Sequence, residues 1–217
     1  MEIWLDSINI ELIQEAEQLR LISGVTTNPA ILSHAKDADH TLHQLLTVQR
    51  GKVAVQVTAT TSVGMIEQSR HLSHLSDRIV VKIPVNRQGL VAMSELIQEK
   101  ICILATAVLH PRQALLAAML GATYVAPYVS HIPDALHVLQ SMQDTFRVQS
   151  LPTQIMAASL KQVDHILECA KMGIPVVTIK DELFNSLIED HPQSEAFTLK
   201  FNHQWQMAFP HHPILSS

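Results

Sequence analysis

The fold class predicted by the sequence is a single (β/α)8 TIM barrel, eight parallel strands alternating with helices, with one additional C-terminal helix. Three observations predict it. Eight short apolar or β-branched runs recur along the 217 residues. Each is followed by a polar or small residue and then by a stretch of helical periodicity. Strand starts fall roughly 20–30 residues apart, the length of one βα unit with tight connections. An alternating series of this kind builds a parallel sheet, and eight strands can close it. An open doubly wound sheet is the alternative, because periodicity does not distinguish open from closed.

The runs, in order, are IWL (3–5), LISGV (21–25), VAVQV (53–57), IVVKI (79–83), ICILA (101–105), TYVAP (123–127), QIMAA (154–158) and PVVTI (175–179). Between the first two, Ile10, Ile13, Ala16 and Leu19 share one side of a helix whose other side is acidic or amide. Residues 88–100 and 111–120 read as helices as well, the second with Pro111 in its first turn. No linker or low-complexity segment interrupts the chain, so residues 1–217 are read as one barrel domain. Within it, residues 194–209 stand out as a C-terminal helix. Phe197, Phe201, Trp205 and Phe209 repeat every four residues and draw an aromatic stripe along it, suited either to its own barrel or to a neighbouring subunit.

Composition narrows the function classes. A hydrophobic fraction of 47% with 16% charged residues supports a sizeable core. A net charge of -5 and a pI near 6.2 give no basic excess for nucleic acid or an anionic membrane. The N-terminus lacks a basic start followed by an apolar run, and ICILATAVL is too short to span a bilayer. Cys102 and Cys169 fit no metal-ligand spacing and read as buried free thiols of a cytoplasmic protein. Histidine pairs such as His40/His43 and His71/His74 lie on helices without accompanying carboxylate and cysteine ligands, so no metal and no cofactor is expected.

In a βα barrel the chemistry gathers where strands end. Those positions hold Asp6, Thr26-Thr27-Asn28, Gln56, Lys82, Thr106, Tyr128, Ser159 with Lys161, and Lys180-Asp181. Lys82 is the odd one, a lysine within the apolar strand Ile79-Val80-Val81-Lys82-Ile83. Burial disfavours an ammonium, and a neutral amine is the nucleophile that imine chemistry requires. A structural alternative has its ammonium reaching out of the strand end to pair with Asp6 or Asp181. Gln56, Thr106 and Tyr128 can each donate and accept hydrogen bonds, so together they suit the water that imine formation expels and hydrolysis recovers. Asp6 is a candidate general base, or else a cap for the following helix. Ser159-Leu160-Lys161 reads as a helix start able to hold a phosphate, or as a plain serine cap.

The strand-end segments Leu5-Asp6-Ser7, Gly24-Val25-Thr26-Thr27-Asn28-Pro29, Val80-Val81-Lys82-Ile83-Pro84-Val85, Ala126-Pro127-Tyr128-Val129, Ala157-Ala158-Ser159 and Gln204-Trp205-Gln206-Met207-Ala208-Phe209 resemble the transaldolase and fructose-6-phosphate aldolase family, in order and over nearly the whole chain. The resemblance implies a metal-free βα barrel in which Lys82 forms an imine with a dihydroxyacetone-type donor. Asp6 and Asn28, with Thr27 beside them, would hold the donor hydroxyls, and Tyr128 would act as acid and base through a water shared with Gln56 and Thr106. Gln at position 56 and Tyr at 128 resemble the small aldolases, where transaldolases carry Glu and Phe. The small members form pentamer-based decamers whose C-terminal helix crosses to a neighbour, which implies a homo-oligomer here. Two departures touch the phosphate end. An arginine that follows the strand-six tyrosine in the family is replaced by Ser130-His131-Ile132, and the Gly-rich loop after it is absent. Ser159, Lys161 and His131 are then the residues left to bind a substrate phosphate, and histidine lacks the bidentate fork of arginine.

The function expected is reversible aldol cleavage and addition on small ketose and aldehyde substrates. Transaldolase transfer between sugar phosphates is the first alternative. A catalytically idle barrel retained for ligand binding is the second, and unaltered ligand binding in Lys82→Ala without any turnover would mark it.

Overall fold

The computed structural model describes residues 1–210. In chain order the elements are β1 (Glu2–Asp6), α1 (Ile10–Gln18), β2 (Gly24–Thr26), α2 (Pro29–Leu32), α3 (Ala38–Val48), β3 (Lys52–Gln56), α4 (Ser62–Ser73), β4 (Ile79–Pro84) and α5 (Arg87–Leu96). They continue with β5 (Ile103–Val108), α6 (Pro111–Leu120), β6 (Tyr124–Pro127), α7 (Ala135–Val148), β7 (Gln154–Ala157), α8 (Val163–Lys171), β8 (Val176–Ile179), α9 (Asp181–Ile188) and α10 (Pro192–Ala208). The eight strands are all parallel and close in sequence order, with β8 pairing back onto β1. The barrel is closed, the fold class expected from the eight βα units; the open sheet is not formed.

Two strands start two or three residues later than the apolar runs suggest, for the same reason. Arg20 and Lys100 adopt left-handed φ of 55° and 62°. The next amide in each case turns back onto the preceding helix, Leu21 N–H to the Ala16 carbonyl and Ile101 N–H to the Leu96 carbonyl. Those residues finish a helix by satisfying its last carbonyls, and so are lost to the strand. Pairing therefore begins at Gly24 and Ile103.

Alternation sorts the strands into two buried surfaces. One set, with Trp4, Ala54, Val80, Leu104, Tyr124, Met156 and Val176, fills the barrel interior. Trp4 and Tyr124 meet there edge to face with ring centroids 5.7 Å apart. The other set, including Val53, Val81, Ile83, Val177 and Ile179, is buried on the outer surface. Both sides are enclosed, so a polar residue within these strands needs a partner or a cavity.

Packing divides the chain into two compact units, Met1–Phe184, which contains the barrel, and the segment from Asn185 onward. In the second unit α10 opens with Pro192 in its first turn, and the His191 ring accepts from Gln193 N–H. Phe197 and Phe201 stack at 5.9 Å, Trp205 and Phe209 meet at 4.7 Å, and none of its helical residues is buried. Cys102 and Cys169 are both free; Cys169 is buried and Cys102 partly so.

Candidate active site

Lys82 enters the barrel from β4. Its Cα lies opposite Gln56 of β3 and Leu104 of β5, in alternation with the interior residue Val80. The residue is only 6% exposed. Nζ donates to the Thr27 carbonyl at 2.6 Å. Among the described residues it forms no ion pair, so the pairing with Asp6 or Asp181 is not made. Burial pushes the Lys82 pKa below its ordinary value, and the charge of Asp6, which acts the other way, does not offset it. One hydrogen bond to a neutral carbonyl aims the amine without neutralising a charge.

Asp6 ends β1, and its Oδ1 accepts from the Thr26 hydroxyl at 2.7 Å. The Thr26 hydroxyl also lies 2.7 Å from that of Thr178 on β8. Thr26 has one proton; if it goes to Asp6, the Thr178 hydroxyl must donate to Thr26. Three neighbouring strand ends are thus joined in one directed chain that terminates on the carboxylate. The capping role weighed for Asp6 falls to Asn9, whose Oδ1 accepts from Leu12 N–H at 3.2 Å. Asn28 does cap, its Oδ1 accepting from Ile31 N–H at 3.0 Å, so its amide NH2 is what it can offer a ligand. The Thr27 hydroxyl is spent on the Ala54 carbonyl at 2.9 Å; toward Lys82 this residue presents its own carbonyl.

Across the barrel, the Thr106 and Tyr128 hydroxyls lie 3.1 Å apart. The pairing of β5 with β6 shifts register between Ala105 and Val108, and Ala107 sits at φ 56°, a conformation rare for a residue with a Cβ. A bulge of this kind re-aims side chains at a barrel rim.

These residues surround a cavity of about 180 Å3 lined by Asp6, Thr26, Asn28, Lys82, Thr106 and Tyr128 on one part, and by His131, Ser159, Thr178 and Lys180 on another, above Leu104, Ala126, Met156 and Ala158. At ~30 Å3 per water it has room for on the order of six waters, which suits a small polyol.

The sequence expectations meet this cavity unevenly. Asp6, Asn28, Lys82, Thr106, Tyr128, His131 and Ser159 all line it. Gln56 stands beside Lys82 in register but does not line it; it borders an outer groove with Val55, Thr58 and Leu72. Thr27 contributes backbone only, as described above. Lys161 is exposed and does not line the cavity. Nor does Ser159 open a helix: residues 159–162 are irregular, and α8 begins at Val163 with Gln162 at its cap position. The cause is local, because Ser159 takes a left-handed φ of 60° and its hydroxyl meets that of Ser130 at 2.6 Å. Thr26 and Lys180, read from sequence as strand-end residues but given no role, also line the cavity, and so does Thr178, which the sequence reading missed. Alternation along Val176, Thr178 and Lys180, all facing inward once the barrel closes, is the signal that finds the last two.

Among the described residues, no group of three His, Cys, Asp or Glu side chains is arranged to hold a metal ion, and no helix is long and apolar enough to cross a membrane.

A closed parallel barrel with its polar side chains converging on one mouth around a buried lysine defines an enzyme of the (β/α)8 class. Comparison with known proteins gives the family. The chain belongs to the Transaldolase/Fructose-6-phosphate aldolase family, whose family model matches residues 3–212. It is an aldolase/transaldolase-like enzyme. A probable transaldolase of Thermoplasma volcanium is 37% identical over 218 residues, covering 97% of both chains. Probable transaldolase 1 of Listeria monocytogenes is 32% identical over 213 residues, covering 96% of this chain and 99% of its own. A probable transaldolase of Methanococcus maripaludis is 33% identical over 211 residues, covering 95% and 98%.

Proposed function

We propose that this protein is a Schiff-base aldolase of the fructose-6-phosphate aldolase type, with Lys82 as the imine-forming residue and a dihydroxyacetone-type ketone as donor. The observation that carries the reading is a buried lysine, lowered in pKa and free of any ion pair among the described residues, in a cavity that a hydroxyl pair also lines. The neutral amine adds to the ketone carbonyl, and the carbinolamine loses water to give the imine. Tyr128, hydrogen-bonded to Thr106, supplies the proton that departs with that water and takes one back during hydrolysis. The Tyr128 oxygen, having given up that proton, takes one from the carbon next to the imine, which becomes an enamine. That carbon then attacks the acceptor aldehyde, forming the new C–C bond as Tyr128 returns the proton to the aldehyde oxygen, and water releases the product from Lys82. Asp6, fixed by Thr26, accepts from donor hydroxyls, and the Asn28 amide donates to them. Gln56 is assigned to the shared water by family resemblance; reaching it requires its side chain to turn toward the cavity.

Gln56 and Tyr128 support the aldolase branch. The names of the relatives favour the second reading, a transaldolase that passes dihydroxyacetone between sugar phosphates. Incubation with fructose 6-phosphate separates the two. Release of free dihydroxyacetone and glyceraldehyde 3-phosphate is the result expected of the aldolase. Transfer to erythrose 4-phosphate without free dihydroxyacetone contradicts it. We further propose that the protein is a homo-oligomer, pentamer or decamer by family resemblance, in which the exposed aromatic stripe of α10 packs on a neighbouring subunit.

A further inference from the structure

We infer that Lys180 anchors the anionic group of the acceptor aldehyde, with His131 and Ser159 completing that corner of the cavity. The word acceptor rests on the aldolase reading; the anion corner itself does not. Lys82, His131 and Lys180 are the basic side chains that line the cavity. Lys82 is buried, driven toward its neutral form and directed at the substrate carbonyl. A histidine carries at most a partial charge near neutral pH. That leaves Lys180 as the lining residue with a full positive charge. Its place follows from the strand: β8 alternates Val176 and Thr178 into the barrel, and Lys180 is the next inward position, just beyond the last paired residue. There it is exposed, at the open rim of the cavity. It also borders a second, shallower cavity with Asp6, His34, Asp181 and Glu182, which places it at the rim between the two.

The companions suit an oxyanion. His131 lies in the short 3-10 turn Val129–His131, its ring 6.2 Å from that of Tyr128. The Ser130 and Ser159 hydroxyls pair at 2.6 Å, so one of the two protons remains available to a ligand. Lys180, His131 and Ser159 come from the ends of β8, β6 and β7, three consecutive staves of the barrel. Asp6 and Asn28 come from the adjoining run, β1 and the segment after β2, while Lys82 comes from β4, four staves from β8 on the far side of the barrel. An acceptor bound across the mouth then has its aldehyde toward Lys82 and its charge toward Lys180.

Calorimetry with non-reacting probes tests this without turnover. Glycerol 3-phosphate, glycerate and glycerol are titrated into the intact protein and into its Lys180→Gln, Lys180→Arg and Lys161→Gln variants. The charged probes are expected to bind the wild type more tightly than glycerol. Lys180→Gln is expected to weaken them at least tenfold without affecting glycerol, and Lys180→Arg to restore most of the loss. The tighter of the two charged probes identifies the group as phosphate or carboxylate. Wild-type binding of the charged probes no tighter than glycerol overturns the inference, as does a loss that follows Lys161→Gln instead of Lys180→Gln. Lys180 is exposed, so its replacement leaves the core intact, and equal melting temperatures check this. Borohydride trapping on Lys82 is measured separately: its failure with the Lys180 dependence intact removes the aldolase reading and keeps the anion corner, and the reverse pattern does the opposite.

Discussion

A lysine ammonium inside a barrel is a cost to the folded state unless something compensates it, and around Lys82 one carbonyl and the charge of Asp6 fall short of doing so. The pH dependence of stability follows from the direction of its pKa. Below the folded-state pKa the residue is protonated in both folded and unfolded chains, and the folded chain bears the whole burial penalty. As pH rises through that pKa toward the ordinary value of 10.5, the folded chain has already released its proton and the penalty fades. Between neutral pH and that value, the wild type should therefore gain melting temperature relative to Lys82→Met. A gap that does not change with pH would show that the ammonium is not strained by burial. At the hydroxyl pair, Tyr128→Phe should lower kcat by about 100-fold, typical of losing a positioned acid or base. KM should change far less, and steady-state kinetics with a saturating donor separate the two. Lys82 was legible from sequence because a lone lysine among valines and isoleucines is anomalous whatever the fold. The chain from Thr178 through Thr26 to Asp6 was not, because it joins positions 152 residues apart that meet only when β8 closes on β1.

Each element is placed by what lies against its ends. Gly89, in the first turn of α5, is the clearest case: a Cβ there would come within 1.9 Å of the Pro84 carbonyl, at the end of the strand that carries Lys82. Gly89→Ala should destabilise by about 1–3 kcal/mol, as overpacking of a tight contact does. In a chain of this size that is about 2–4 °C per kcal/mol in a thermal scan. Ala107 makes the complementary point. Its left-handed φ of 56° is strained for any side chain and most for a β-branched one. Ala107→Gly should be neutral or stabilising in the same scan, and Ala107→Val should lower both melting temperature and kcat by disturbing the neighbouring Thr106. Periodicity located all eight strands, yet it overran the starts of β2 and β5. Leu21 and Ile101 look like strand residues but answer the last carbonyls of α1 and α5. Hydrophobic pattern says which residues are inside; it does not say which backbone amides are already committed. The same limit misplaced the helix after β7, since nothing in Ser159-Leu160-Lys161 announces a left-handed serine.

At the scale of the whole molecule, closure converts a linear list of strand ends into one mouth. That is why seven of the ten residues expected at the site from sequence line a single cavity, and why Gln56, Thr27 and Lys161 could be separated from them only in three dimensions. The aromatic stripe of α10 belongs to this scale too. Phe197 and Phe201 are 53% and 60% exposed, a large apolar face to leave against water. Paired Phe197→Glu and Phe201→Glu substitutions should shift the protein to a smaller species in analytical ultracentrifugation, with the barrel still folded by circular dichroism. An unchanged sedimentation coefficient would remove α10 from the interface. The chemistry itself comes down to one covalent bond. With dihydroxyacetone and borohydride, peptide mapping by mass spectrometry should find one reduced donor adduct, on Lys82, and none in Lys82→Met. No adduct, or an adduct on another lysine, would contradict the imine mechanism.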